Sequence, residues 1–143
     1  MRDKIELMSQ TFADLGIAPT LLAVLTKLGY TEPTPIQAKA IPTAVEGKDV
    51  VGIAQTGTGK TLAFGIPMIQ RLGFVKGQGL ILLPTRELAL QVEEVLNRIG
   101  RSFGLRTAVL IGGAGMGPQV SALRSKPHVI VATPGRLIDH IEH

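Results

Sequence analysis

The sequence predicts an α/β fold, a parallel sheet with helices on both faces, and three observations carry that expectation. Short apolar runs lack the polar alternation of strands that face water on one side. Segments with helical spacing alternate with those runs. Threonine or glycine stands just beyond several of the runs, at Thr85, Gly112 and Thr133, where a helix is about to begin. In sheets of this kind ligands gather beyond the C-terminal ends of the strands.

Taken in order, Pro19 to Leu28 carries a helix pattern with proline in its first turn and Gly29 as its stop. Pro35 to Ile41 reads as a second short helix, with Thr34 placed to cap it and Pro42 placed to end it. Asp49 to Ala54 is a β-branched run expected as the first strand, and Lys60 to Arg71 is helical. Gly79 to Leu83 is strand-like and Arg86 to Arg101 has helical spacing. The alternation then repeats: strand from Leu105 to Ile111, short helix from Pro118 to Leu123, strand from His128 to Ala132, helix from Pro134 to Glu142. With no repeat, biased tract or long linker, the expected organisation is one structural unit, a preface over residues 1–46 leading into a sheet domain over 47–143.

At 143 residues the chain is one domain long, and folding can bury about 68–70% of the unfolded surface. Fifteen Lys and Arg against eleven Asp and Glu give a net charge of +4, a mild lean toward anionic partners. The absence of cysteine excludes disulfides, thiolate zinc sites and thiol nucleophiles. The charged start MRDKIELMSQ does not suit a secretory signal, so a cytoplasmic protein is expected. Thr107 to Leu123 is uncharged but broken by glycines and Pro118, so no membrane partner is expected. Asp139 to His143 fits no helical zinc spacing and is expected to be a solvated helix end.

The most informative segment follows the first expected strand: Ala54-Gln55-Thr56-Gly57-Thr58-Gly59-Lys60-Thr61. Its end, Gly-Lys-Thr entering a helix, is what a phosphate cradle requires. Gly57 and Gly59 permit backbone geometries that turn successive N–H groups inward, and the helix N-terminus adds partial positive charge. Lys60 reaches the β- and γ-phosphates, and Thr61 offers its hydroxyl to Mg²⁺. Ala54 stands where the usual pattern has glycine, the mildest exchange available. The ligand expected here is a nucleoside triphosphate, ATP, with Mg²⁺.

From about Phe12 to its last residue the chain resembles the N-terminal RecA-like, P-loop NTPase domain of a DEAD-box ATP-dependent RNA helicase, ending before the DEAD motif. The preface, an isolated Phe12 followed by Gly29-Tyr30-Thr31-Glu32-Pro33-Thr34-Pro35-Ile36-Gln37, is similar to that family's Q motif. The resemblance implies that Gln37 reads adenine and Phe12 packs on the base. A glutamine amide can accept from the adenine amino group while donating to N7, a pairing guanine does not offer. Read without the resemblance, Gln37 is a solvated helix residue and Phe12 a core plug.

Three further segments match in order. Pro84-Thr85-Arg86-Glu87-Leu88-Ala89 resembles motif Ia, and Thr133-Pro134-Gly135-Arg136 resembles motif Ib. Gly112-Gly113, with Gln119 downstream, resembles the GG doublet, although Gly115 and Gly117 replace polar residues common there. The resemblance implies that all three meet an RNA sugar-phosphate backbone, and helix N-termini with arginines suit that role. Read alone, each is a capped helix start or a turn. With 3% aromatic residues, base stacking is not expected as the main mode.

The same resemblance implies that hydrolysis needs an acidic DEAD strand end, a Ser-Ala-Thr motif and arginines from a second RecA-like domain, none of them in these residues. The expectation is therefore an ATP- and RNA-binding half of a duplex-unwinding enzyme, nearly inert by itself. A non-catalytic RNA-binding module and a small P-loop kinase stand as alternatives.

Overall fold

Local signals account for most of the helices. Pro19 opens α1, Pro19–Lys27, in the first turn, where its missing N–H costs nothing. Thr34 caps α2, Pro35–Val45, and Gly59 in the left-handed region precedes α3, Lys60–Leu72. Thr85 caps α4, Arg86–Gly100, by accepting from the Leu88 N–H at 3.2 Å. Further helices are α5, Met116–Arg124, and α6, Pro134–Glu142. The strands are β1, Gly79–Leu82, β2, Thr107–Leu110, and β3, Val129–Ala132. The structure is a computed structural model that describes residues 10–55 and 59–143.

The chain divides into two compact units, Met1–Val75 and Lys76–His143. In the first, a 3-10 turn at Phe12–Leu15 packs with α1 and α2, and α2 lies along α3. Leu15, Leu25, Ile41 and Ile66 fill the centre. The side chain of Gln70 on α3 clasps the preface from both sides, accepting from Ala18 N at 2.8 Å and donating to Gly16 O at 3.0 Å. The preface is thus built onto the helix that follows the phosphate loop.

Two expectations for this unit are corrected. Pro42 does not end α2; the helix continues to Val45 with the proline inside it. The lost N–H bond is local, and Ala38 and Ile41 in the turn before the proline are buried. Asp49 to Ala54 does not form a strand, and Val51 and Ile53 are 95% and 94% exposed. A β-branched run becomes a strand only when another backbone takes its hydrogen bonds, and among the described residues the ladders join β1, β2 and β3 alone.

In the second unit the order is β1-β3-β2, all parallel. The central strand is the most apolar, with Val129, Val131 and Ala132 buried, as a strand flanked on both sides must be. On α4, Ala89, Val92, Leu96 and Ile99 recur at helical spacing and are buried against β2 and β3. Leu80 and Leu82 of β1 stay half exposed. Helix α5 begins two residues before the expected Pro118, which sits in the first turn where its lack of an N–H is harmless. The register aligns Leu82 and Leu110 with Ala132, so all three strands end level. The following turns therefore leave the sheet along one rim.

Candidate functional site

In the first unit the site grows from the start of α2. Thr34 is extended, its hydroxyl accepts from the Gln37 N–H at 3.5 Å, and Gln37 Oε1 accepts from the Thr34 N–H at 2.9 Å. This reciprocal pair is a capping box. Gln37 is only 3% exposed, so its amide must be satisfied internally, and Nε2 donates to the Gly59 carbonyl at 3.1 Å. These two bonds fix which end of the amide is oxygen. Each polar atom keeps capacity for one more bond, a second lone pair on Oε1 and a second hydrogen on Nε2.

Gly59 sits at φ +88°, and a Cβ there would collide with the Gln37 amide nitrogen and lie 2.9 Å from the Thr34 hydroxyl. Only glycine meets both demands. Among the described residues no side chain caps α3, so its first-turn amides and partial positive charge face the loop before it. Lys60 is exposed at the first position of that helix, Thr61 and Ala54 are half-buried, and Gln55 is exposed. Thr56, Gly57 and Thr58, expected in the cradle, lie outside the described residues.

Phe12 is 2% exposed and is a core residue of this unit, as the reading of it as a core plug has it. A groove of about 290 Å³ is lined by Pro35, Ile36, Lys39, Ile53, Ala54 and Gln55. At roughly 100° per residue, Pro35, Ile36 and Lys39 share one side of α2 and Gln37 points to the other.

In the second unit the level strand ends bring the other candidates together. The strand order puts the turn after β3, with Thr133 and Pro134, between the turns after β1 and β2. Across it, Arg86 Nη1 donates to the Gly112 carbonyl at 3.3 Å, spanning two strand spacings, roughly 9.5 Å. Pro84, Thr85, Arg86, Gly112, Gly113, Pro134 and Gly135 are all exposed.

Arg136 behaves differently, with a side chain only 16% exposed. Its Nη1 donates to Met116 Sδ at 3.1 Å, its Nε lies 3.7 Å from Asp139 Oδ2, and that Nε has no hydrogen-bond partner among the described residues. It is held against α5 and the first turn of its own helix. Thr133 makes no side-chain cap, leaving the first-turn amides of α6 uncapped.

A family model matches the sequence that carries these features. The model described as DEAD/DEAH box helicase covers residues 34–143, more than half of the chain. The chain belongs to the DEAD/DEAH box helicase family. Among curated proteins of this family it is 51% identical over 99% of its length to "ATP-dependent rRNA helicase RRP3" of Yarrowia lipolytica, and 54% identical over 94% to the protein of that name from Lodderomyces elongisporus. It spans 30% and 27% of those two helicases. Among solved helicase structures it resembles Prp28 from Chaetomium thermophilum bound to ADP, with a TM-score of 0.84 and 40% identity over 93% of this chain and 34% of that one. It also resembles a hypothetical ATP-dependent RNA helicase from Sulfolobus tokodaii, with a TM-score of 0.81 and 36% identity over 88% of this chain and 37% of that one. The RecA-like α/β fold expected from the sequence is thus the fold of these helicases.

Sequence reasoning missed three side chains at these places in the helicase domain. Gln37 caps its own helix, a role signalled by the Thr-x-x-Gln spacing. Gln119, buried, donates to the Ile111 carbonyl at 2.9 Å. His140, expected in a solvated helix end, is half-buried and lies 2.8 Å from Gln119 Oε1 through its Nε2. No local pattern marks the His140 contact, because it depends on β2 and β3 being neighbours, whereas the Gln119 bond closes the turn between β2 and α5.

Proposed function

We propose that this chain binds ATP with Mg²⁺ through the Ala54–Thr61 loop and an RNA backbone through the rim of β1, β2 and β3, as the nucleotide- and RNA-binding portion of an ATP-dependent helicase. The observation that carries the reading is the bond from Gln37 Nε2 to the Gly59 carbonyl. It ties a side chain able to recognise adenine to the residue that opens the phosphate-binding helix, so base and phosphates are read by one connected element. Family membership and the ADP bound to the Prp28 relative support it.

In this reading Lys60 neutralises the β- and γ-phosphates, the uncapped amides of α3 bind phosphate oxygens, and Thr61 would hold Mg²⁺. The donor set fits a phosphate group, since the exposed Lys60 ammonium stands at the start of a helix whose N-cap, Gly59, has no side chain to cap it. Mg²⁺ bound there supplies charge compensation for the triphosphate. Efficient hydrolysis belongs to the longer protein, with its metal-binding carboxylate, water-positioning group and second domain.

Isothermal titration with Mg-ADP, Mg-ATP and Mg-GTP tests the nucleotide reading, with Lys60→Ala expected to weaken the adenine nucleotides strongly. Equal affinity for Mg-GTP and Mg-ATP would overturn the adenine assignment. For RNA, binding to single strands is expected to be sequence-indifferent and to fall with salt as counterions are released. Salt-insensitive binding would remove the backbone-contact reading.

A further inference from the structure

The turn from β2 into α5 has two successive carbonyls held by side chains from different helices. Ile111 O accepts from Gln119 Nε2 on α5 at 2.9 Å, and Gly112 O accepts from Arg86 Nη1 on α4 at 3.3 Å. In a trans peptide the carbonyl of one residue and the N–H of the next point in opposite directions. Anchoring these carbonyls therefore turns the Gly112 N–H away from Gln119 and the Gly113 N–H away from Arg86. Neither N–H donates to a described turn or loop carbonyl.

The two glycines of the doublet are not equivalent. Gly113 sits at φ +81°, and a Cβ there would collide with Arg86 Nη1, so the guanidinium occupies space that a side chain would take. A Cβ on Gly112 would meet nothing within 4 Å. The fold itself thus requires glycine at 113, whereas a side chain at 112 is opposed only by something arriving from outside. The second anchor is itself braced: with Gln119 Nε2 committed to Ile111, Oε1 faces His140, whose Nε2 must carry the hydrogen.

We propose that Arg86 is a positioning residue, which aims the Gly113 amide outward, beside the Gly112 amide that Gln119 sets, as a donor for one RNA phosphate, by holding the Gly112 carbonyl and filling the space beside Gly113. The proposal rests on the reading of this rim as the RNA-binding edge. It departs from a plain phosphate contact by Arg86, because the fork geometry of the guanidinium is then essential and charge alone is insufficient.

The test uses the ¹⁵N-labelled chain without RNA, then with a uridine 12-mer at fixed salt, comparing the unaltered protein with Arg86→Lys, Arg86→Ala and Arg98→Ala. Arg98 lies on the same helix and pairs with Glu94 at 3.3 Å, so its removal subtracts the same charge away from the turn. In both Arg86 variants the Gly112 and Gly113 amide signals are expected to shift and to exchange faster with solvent, while Arg98→Ala leaves them in place. RNA affinity is expected to fall about ten-fold in Arg86→Lys as well as in Arg86→Ala. Combining Arg86→Ala with Gly113→Ala is expected to cost no more than the worse single change. Unmoved glycine signals in Arg86→Lys, with RNA affinity kept within two-fold, would overturn the proposal and leave Arg86 a simple phosphate ligand. A wild-type chain that binds no RNA would sink the functional reading instead, while the RNA-free signals still decide whether Arg86 holds the turn.

Discussion

The side-chain amide of Gln37 and the carbonyl of Gly59 are joined by a 3.1 Å hydrogen bond across twenty-two positions of sequence. One end of that amide caps α2 and the other fixes the residue that opens α3. A glutamine expected to read a base is therefore also part of the scaffold, and its two roles can be separated by experiment.

Gln37→Ala is expected to cost about 0.5–2 kcal/mol of stability through the lost cap. It is also expected to cost roughly 1–3 kcal/mol of adenine nucleotide affinity if the amide pairs with the base. Chemical denaturation and titration calorimetry measure the two effects separately. The decisive result is selectivity: the variant should bind Mg-ADP and Mg-GDP alike. A variant that weakens both nucleotides equally would show that Gln37 acts only through the Gly59 carbonyl.

Gly59→Ala combines a left-handed backbone with a collision against the Gln37 amide. A loss of about 1–3 kcal/mol is expected from the backbone strain alone, together with loss of nucleotide binding. Gly104, also left-handed but with open space around it, isolates the backbone part. Equal destabilisation by Gly104→Ala and Gly59→Ala in urea melts would show that the Gln37 contact adds nothing.

Burial raises the Glu93 carboxyl above its ordinary pKa, opposed in part by a hydrogen bond from Thr107. Thr107 Oγ1 has one hydrogen and two acceptors to serve, Glu93 Oε2 at 3.4 Å and Asn97 Oδ1 at 3.2 Å. A protonated Glu93 donates to that hydroxyl and frees its hydrogen for Asn97. Because the folded state holds this proton more tightly than the unfolded one, stability falls as pH rises from the ordinary carboxylate pKa through the raised one. Glu93→Gln should remove that part of the decline and melt higher than wild type at neutral pH. A lower neutral-pH melting point for the variant counts against the account.

Val51 and Ile53 expose nearly their whole side chains in a β-branched segment without a ladder. Such a segment is a template for pairing between copies. Sedimentation velocity should show concentration-dependent self-association of this chain, reduced in the Val51→Lys, Ile53→Lys double variant. A monomer at every accessible concentration would contradict this.

What could be read locally was read well. Thr85 as a cap, the helical spacing of Arg86 to Arg101 and the apolar run of β3 each depend on spacing within a few residues, which the chain carries on its face. The α/β class and the candidate phosphate loop followed from the same signals. Asp49 to Ala54 misled because strand propensity describes a willingness to pair, and pairing needs a second backbone. Phe12 read from the residues alone is a core plug, and its burial agrees with that, whereas its packing on a base is what the family resemblance implies.

By itself, then, the order of residues determined where helices start, which faces are apolar and which turns carry glycine. Tertiary structure alone decided that β3 lies between β1 and β2, that Arg86 meets Gly112 and that Gln119 meets His140. The physical reason is range: caps and periodicity act within one or two turns of helix, whereas a side chain's partner across a sheet is chosen by strand order.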